Sequence, residues 1–271
     1  MHTSEQASKA NISFFNESVT SKYEEISPHV KHPALKTLYQ SIVEELFQHA
    51  HLRSAQPSIL DLGAGEGSTT AAFLKLGGKV TAIDLSLSQV TELKRKCAHF
   101  GDALTVSNGE VFEVLANSTE QFDIVVSSSF LHHIPDYLRL IVLAIDHLAP
   151  GGQFMSFQDP LQYDRMSRIN YWFSTASYFS WRVFRPDLLG GIRRRIRRSR
   201  GIYLADSEFD NGEYHITRNG VDENAICDLL RRLSFDCQLV KYFSTHSGVG
   251  QRLGCLLRME NTFAIIAKRL V

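Results

Sequence analysis

Residues 59–70 read ILDLGAGEGSTT: an apolar run broken by Asp61, glycines at Gly63, Gly65 and Gly67, then small hydroxyl side chains. Dense glycine after a short apolar run marks a strand that turns sharply into a helix around a ligand. Counted from Gly63, the sixth place of a dinucleotide fingerprint falls on Ser68. That place requires Gly or Ala so that helix and strand can pack closely. The charges decide more. Asp61 stands two residues before the first glycine, and Glu66 lies inside the turn. A pyrophosphate would face two carboxylates there. A ligand bearing an ammonium group would instead find an opposite charge in a partly dry cleft.

Working outward, VTAIDLS ends a second apolar run at Asp84, where an acidic residue can accept both hydroxyls of a ribose. A third run ends in SNGEVFEVL, whose Asn108 or Glu110 could reach the exocyclic amine of an adenine. An ammonium group, a ribose and an adenine together describe S-adenosylmethionine better than NAD.

The surrounding chain alternates apolar runs with helical patterns, which predicts an α/β fold with a doubly wound, mostly parallel sheet. Strands are expected at Ser58–Asp61, Lys79–Asp84, Ala103–Ser107, Phe122–Ser127 and Gln153–Gln158. Helices are expected at Ser68–Leu76, Leu87–Phe100, Tyr137–Leu148 and Val221–Leu233, with a Pro-Gly stop at APGG. Apolar runs at Cys237–Phe243 and Thr262–Ala267 could form a final antiparallel pair. Four regions follow: a helical cap at 1–57, a core at 58–160, an aromatic and Arg-rich insertion or lid at 161–220, and a segment completing the core at 221–271.

Composition fits this picture. The 271 residues are 44% hydrophobic and 21% charged, and Lys+Arg balances Asp+Glu at 29 each. Nothing global points to nucleic acid or a membrane surface. No apolar run approaches the ~20 residues that span a bilayer. Cys97, Cys227, Cys237 and Cys255 form no C-x-x-C pair and read as scattered buried thiols. The start, MHTSEQASKANISFF, lacks a basic-then-apolar signal pattern, so a cytoplasmic location is expected.

On four motifs in order, ILDLGAGEGSTT, VTAIDLS, FDIVVSSSFLHHIPD and LAPGGQFMSFQDP, the chain resembles the class I S-adenosylmethionine-dependent methyltransferases between Ser58 and Pro160. The resemblance implies a Rossmann-like seven-stranded sheet with an antiparallel last strand, and S-adenosyl-L-methionine as cofactor. It places Asp61, Gly63, Ala64 and Gly65 at the methionine end, and Asp84 and Leu85 at the ribose. Gly109 and Glu110 fall at the adenine, where the family usually has Asp. Ser127 and Ser128 would line the cofactor at the end of the fourth strand. Tyr23, followed by Glu24 and Glu25, matches the Tyr that closes over the cofactor in small-molecule members. A surface helix with a buried Tyr is its other reading.

Methyl transfer to a hydroxyl needs an aligned nucleophile and a base for its proton. His132 and His133 stand just past the fourth strand, and either could be that base or simply shape the loop. Asp159, at the end of the fifth strand, could orient an imidazole or bind the acceptor. The cluster Tyr214, His215 and Arg218 offers His215 as a second candidate base. No metal is expected: the positions that carry acidic ligands in metal-dependent relatives are Ser127–Ser129 and Phe130.

Seven aromatic residues between Tyr171 and Phe184 read as a packing helix, as a lid over an apolar acceptor pocket, or as both. The six arginines between Ile192 and Arg200 are a solvated helix face, or else a docking surface for an anionic acceptor, a membrane or RNA. Taken together, the sequence predicts an enzyme that methylates a small, anionic or aromatic acceptor, with oxygen the favoured atom. Carbon or nitrogen acceptors, an RNA- or protein-directed enzyme, and a non-catalytic scaffold stay open.

Overall fold

A computed structural model describes residues 27–183, 193 and 219–270. Its centre is a seven-stranded sheet in the order β3-β2-β1-β4-β5-β7-β6. The parallel strands are β1 (Ser58–Leu62), β2 (Lys79–Asp84), β3 (Leu104–Asn108), β4 (Phe122–Ser128) and β5 (Leu148–Pro160). β7 (Thr262–Arg269) runs antiparallel between β5 and β6 (Phe235–Tyr242). The chain builds outward from β1 in one direction, then returns to lay β4 on its other side. That reversal makes the β1/β4 boundary the switch point, where such sheets open a crevice at their carboxyl ends.

Helices cover both faces, and each face has its own core. One core collects α2 (Pro33–His51), α3 (Ser68–Lys75) and α4 (Leu87–Cys97) through Leu46, Phe73 and Leu93. The other collects α5 (Val111–Ala116), α6 (Tyr137–Asp146) and α8 (Glu223–Arg232) through Leu115, Leu140, Ile226 and Leu230. Sheet residues such as Val125 and Val126 feed opposite cores, so the strands read as continuous apolar runs. In α2 the buried residues Leu35, Tyr39, Ile42, Val43, Leu46, Phe47 and Ala50 recur every three or four positions, which lays one face on the sheet. The short α1 (Pro28–Lys31) precedes it.

Several boundaries differ from expectation. β5 begins at Leu148, so APGG is part of the strand; Leu148 pairs with Phe122 before the register shifts. The helix expected to reach Phe100 ends at Cys97 and continues as a 3-10 turn, Ala98–Ala103, around Gly101. Two helices have no counterpart in the sequence reading: α5 and α9 (Gly248–Leu256). α7 (Arg168–Val183) follows β5 and carries most of the aromatic stretch. Phe173 packs edge-on against Phe243, and Trp181 stacks on His246. All four cysteines are free thiols; Cys255 is exposed, not buried as expected, because α9 turns it outward.

Candidate functional site

The glycine turn joins β1 to α3. Gly63 and Gly65 take left-handed φ of 66° and 55°, which side chains resist. At Gly63 a Cβ would lie 2.2 Å from the Phe130 ring, so the turn packs on the loop that follows β4. At Gly65 the same construction meets nothing closer than Gln89 Oε1 at 3.9 Å, leaving the backbone open to a ligand. The Ala64 amide donates to the Ile83 carbonyl at 3.0 Å and binds the turn to β2.

Two carboxylates flank this turn. Asp84 Oδ2 accepts the Gly65 amide at 2.8 Å, and Oδ1 accepts the Ser86 amide at 2.8 Å. Burial raises its pKa, and those two backbone bonds oppose the rise. Asp61 lies buried beneath the turn, where Thr70 Oγ1 donates to its Oδ2 at 2.6 Å. Burial, aided by the charge of Asp84, pushes its pKa up to about 7 against the Thr70 bond. Leu85 follows at the same edge, half-buried.

Beyond β3, the Gly109 amide donates to the Asp84 carbonyl at 3.1 Å. Asn108 Nδ2 donates to the carbonyls of Asp84 and Leu85, both at 3.0 Å, which commits that side of its amide to the loop. Glu110 caps α5: its Oε2 accepts the amides of Phe112 and Glu113 at 2.8 and 3.2 Å. At the end of β4, Ser127 pairs in register with Leu62 and Ser128 with Phe157. Ser127 Oγ is buried without a hydrogen-bond partner among the described residues.

The chain then turns through Ser129, at φ 53°, into the 3-10 turn Leu131–His133. His132 Nδ1 lies 2.8 Å from Asp159 Oδ1, and the His132 amide donates to the same oxygen at 3.2 Å. Asp159 is fully buried, and Ser156 Oγ donates to its Oδ2 at 2.8 Å. A β-bulge delivers this carboxylate: the β5–β7 register shifts between Phe157 and Asp159, with Gln158 at φ 66°. Gln158 is held by the Tyr242 hydroxyl, which accepts its amide at 3.0 Å and donates to its Oε1 at 3.2 Å. A carboxylate only accepts, so this contact turns an Nδ1–H of His132 toward Asp159. The buried ring of His133 lies 4.1 Å from that of His132.

The structure thus gathers Asp61, the glycine turn, Asp84, Ser127, Ser128, His132 and Asp159 at one edge of the sheet. Tyr23, His215 and all of the arginine run except Arg193, which is exposed, lie outside the described residues. Three participants escaped the sequence reading. Thr70 could have been found in the hydroxyl-rich end of ILDLGAGEGSTT, whereas Ser156 carries no local signal. His29, buried against Tyr39 and Phe157, has no hydrogen bond at either ring nitrogen among the described residues, and burial lowers its pKa to about 4. No group of three or more metal-ligating side chains converges among the described residues.

Residues 60–154 match the family model described as a methyltransferase domain. Over these residues the chain is similar to S-adenosylmethionine-dependent methyltransferases. S-adenosylmethionine is the cofactor of this family. Among curated relatives, the ubiquinone biosynthesis O-methyltransferase of Xanthomonas axonopodis pv. citri is 31% identical over 104 residues, covering 38% of this chain and 44% of that protein. The protein of the same name from Methylococcus capsulatus is 32% identical over 121 residues, or 44% of this chain and 50% of that one. The chain spans about half the length of the curated relatives it matches.

Solved structures of methyltransferases share the fold over nearly the whole chain. Magnesium protoporphyrin IX methyltransferase from Synechocystis PCC 6803, with bound SAH, superposes at TM-score 0.58 and 13% identity, covering 97% of this chain and 100% of that one. Plantazolicin methyltransferase BpumL, in complex with SAH, gives 0.56 at 14% identity, with coverage of 98% and 96%. The residues of this chain fit the cofactor on three counts: the open space over Gly65, the two-oxygen face of Asp84 and the unpartnered hydroxyl of Ser127.

Proposed function

We propose that this chain methylates a hydroxyl of a small-molecule acceptor, with His132 as general base. In this reading Asp84 and Leu85 hold the ribose, and Gly63, Ala64 and Gly65 present the turn to the methionine end. Asp61 lies beneath that turn, where a ligand's ammonium group would favour its ionised form. Gly109 and Glu110 border the adenine, the latter through the carboxylate oxygen not used to cap α5. Ser127 and Ser128 line the floor. When bound, S-adenosylmethionine supplies a methyl group on a positively charged sulfur.

The observation that carries the reading is the 2.8 Å contact between His132 Nδ1 and Asp159 Oδ1, one strand away from the glycine turn. With Nδ1 occupied, Nε2 accepts the proton of the acceptor hydroxyl as its oxygen becomes nucleophilic. Asp159, buried and anchored by Ser156, stabilises the imidazolium that results. His133 shapes the turn, and His215 stands in reserve as a second base. O-methylation is also what the names of the curated relatives state of those proteins. Residues 161–220 are assigned to acceptor choice: aromatic walls from the first half, and basic charge favouring an anionic group from the second. The cytoplasm is the compartment that suits four free thiols.

The test begins with metabolite extracts incubated with the enzyme and methyl-labelled S-adenosylmethionine. Mass spectrometry should find a labelled methyl ether or ester, and His132→Ala should abolish its formation while cofactor binding persists. A product labelled on carbon or nitrogen, or full turnover by His132→Ala, would refute the base assignment.

A further inference from the structure

α7 and α9 lie side by side and antiparallel. Asn170 Oδ1 accepts the Glu260 amide at 3.4 Å near one end, and the Ser180 and Ser247 hydroxyls meet at 3.1 Å near the other. Between them, Gly250 lets the helices close: a Cβ there would stand 2.9 Å from Ser177 Oγ. A helix that packs only on its own domain turns its apolar stripe inward. α9 does the reverse. Its buried face is Gly250, Gln251 and Gly254, while Val249, Leu253 and Leu256, one stripe at helical spacing, are 70%, 45% and 78% exposed. On α7, Ile169 and Trp172 are 69% and 67% exposed.

Asp164 precedes α7 and Glu260 follows α9, and within the two helices arginine is the only formal charge. No Asp or Glu occurs between Arg165 and Trp181 or between Ser244 and Arg258. Arg168, Arg252 and Arg258 are exposed within or beside the two helices. An apolar stripe with aromatic and aliphatic anchors, carrying arginine along the helices and Asp164 and Glu260 only at their ends, matches an interfacial lipid-binding element. We propose that the outer faces of α7 and α9 dock this protein on an anionic phospholipid bilayer. A second copy is the poorer complement, since a self-paired face would bring arginines against arginines. α7 begins just beyond β5, the strand that carries Asp159, so docking holds the sheet edge bearing the site near the lipid headgroups. This goes beyond the methyl-transfer reading and does not depend on it.

Co-sedimentation of the full chain with vesicles tests the proposal. Vesicles of phosphatidylcholine with phosphatidylglycerol should bind roughly tenfold or more protein than pure phosphatidylcholine, with binding weakened by salt. Leu253→Glu/Leu256→Glu should abolish sedimentation while leaving the melting temperature and cofactor affinity unchanged. Because those positions are exposed, Arg252→Ser/Arg258→Ser serves as a second variant that should lower anionic-vesicle binding alone. No binding to anionic vesicles would overturn the proposal. So would undiminished binding by both variants, or a concentration-dependent dimer, seen by sedimentation velocity, that the Leu variants dissolve.

Discussion

Asp84 and Asp159 both stand at the carboxyl edge of the parallel sheet, one beside the glycine turn and one beside the histidine loop, yet the protein furnishes them differently. Asp84 receives two backbone amides, one on each oxygen. A carboxylate can accept about four hydrogen bonds, so half its capacity faces outward. Burial without full compensation raises its pKa, the mark of a group that gains from another donor. Asp159 is buried completely and takes three donors, the His132 amide, the His132 ring and the Ser156 hydroxyl. Its charge is spent inside the protein and reaches the cleft only through the imidazole. One carboxylate is built to bind; the other is built to position.

Removing the positioning group should give the largest effect. Asp159→Asn takes away the acceptor that holds the Nδ1 proton, and turnover at saturating cofactor should fall by ~10²–10⁴. Initial rates at saturating cofactor would show it. Near-normal rates would return both residues to a purely structural part.

Beneath the turn, Asp61 sharpens the same contrast through pH. Its carboxyl titrates at about 7 in the fold against 3.8 in the unfolded chain. The folded state keeps a proton that the unfolded chain has already lost, so this group's contribution to stability falls as pH rises from about 4 to 7, then levels off. Asp61→Asn cannot ionise and still accepts the Thr70 hydroxyl. It should gain on the wild type by roughly 2 kcal/mol between pH 5 and pH 8 in urea unfolding. A difference independent of pH would mean that the carboxyl ionises normally.

Ser156→Ala should give the smallest change. It removes one of three donors to Asp159 and leaves the histidine pair intact. Turnover should drop roughly threefold to tenfold, the scale of one hydrogen bond of about 1 kcal/mol. A loss as large as that of Asp159→Asn would make the hydroxyl, and not the ring contact, the anchor of the dyad.

The two halves also differ in how plainly the sequence announces them. The glycine turn and Asp61 are legible because they sit within seven residues with a fixed strand–turn–helix logic, and Asp84 because it closes the next apolar run. Ser156 and Asp159 are three apart, so in a regular strand they face opposite sides. Only the extra residue at Gln158 brings them together, and a bulge has no period to read. The doubly wound, mostly parallel sheet followed from the alternation of apolar runs with helical patterns. α9 did not, because Gly248, Gly250 and Gly254 read as loop residues. At Gly250 and Gly254 the reason is tertiary: a Cβ would lie 2.9 Å from Ser177 Oγ at the first and 2.1 Å from the Phe243 ring at the second.

Titration calorimetry with S-adenosylmethionine on Asp84→Ala and Asp159→Asn, side by side with the wild type, tests the division most directly. Each bond from Asp84 to a ribose hydroxyl should be worth roughly 1.5–3 kcal/mol, so Asp84→Ala should weaken binding at least tenfold. Asp159→Asn should bind within about twofold of the wild type, the scatter of changes away from the ligand. Unchanged affinity in Asp84→Ala, or equal losses in both variants, would contradict the account.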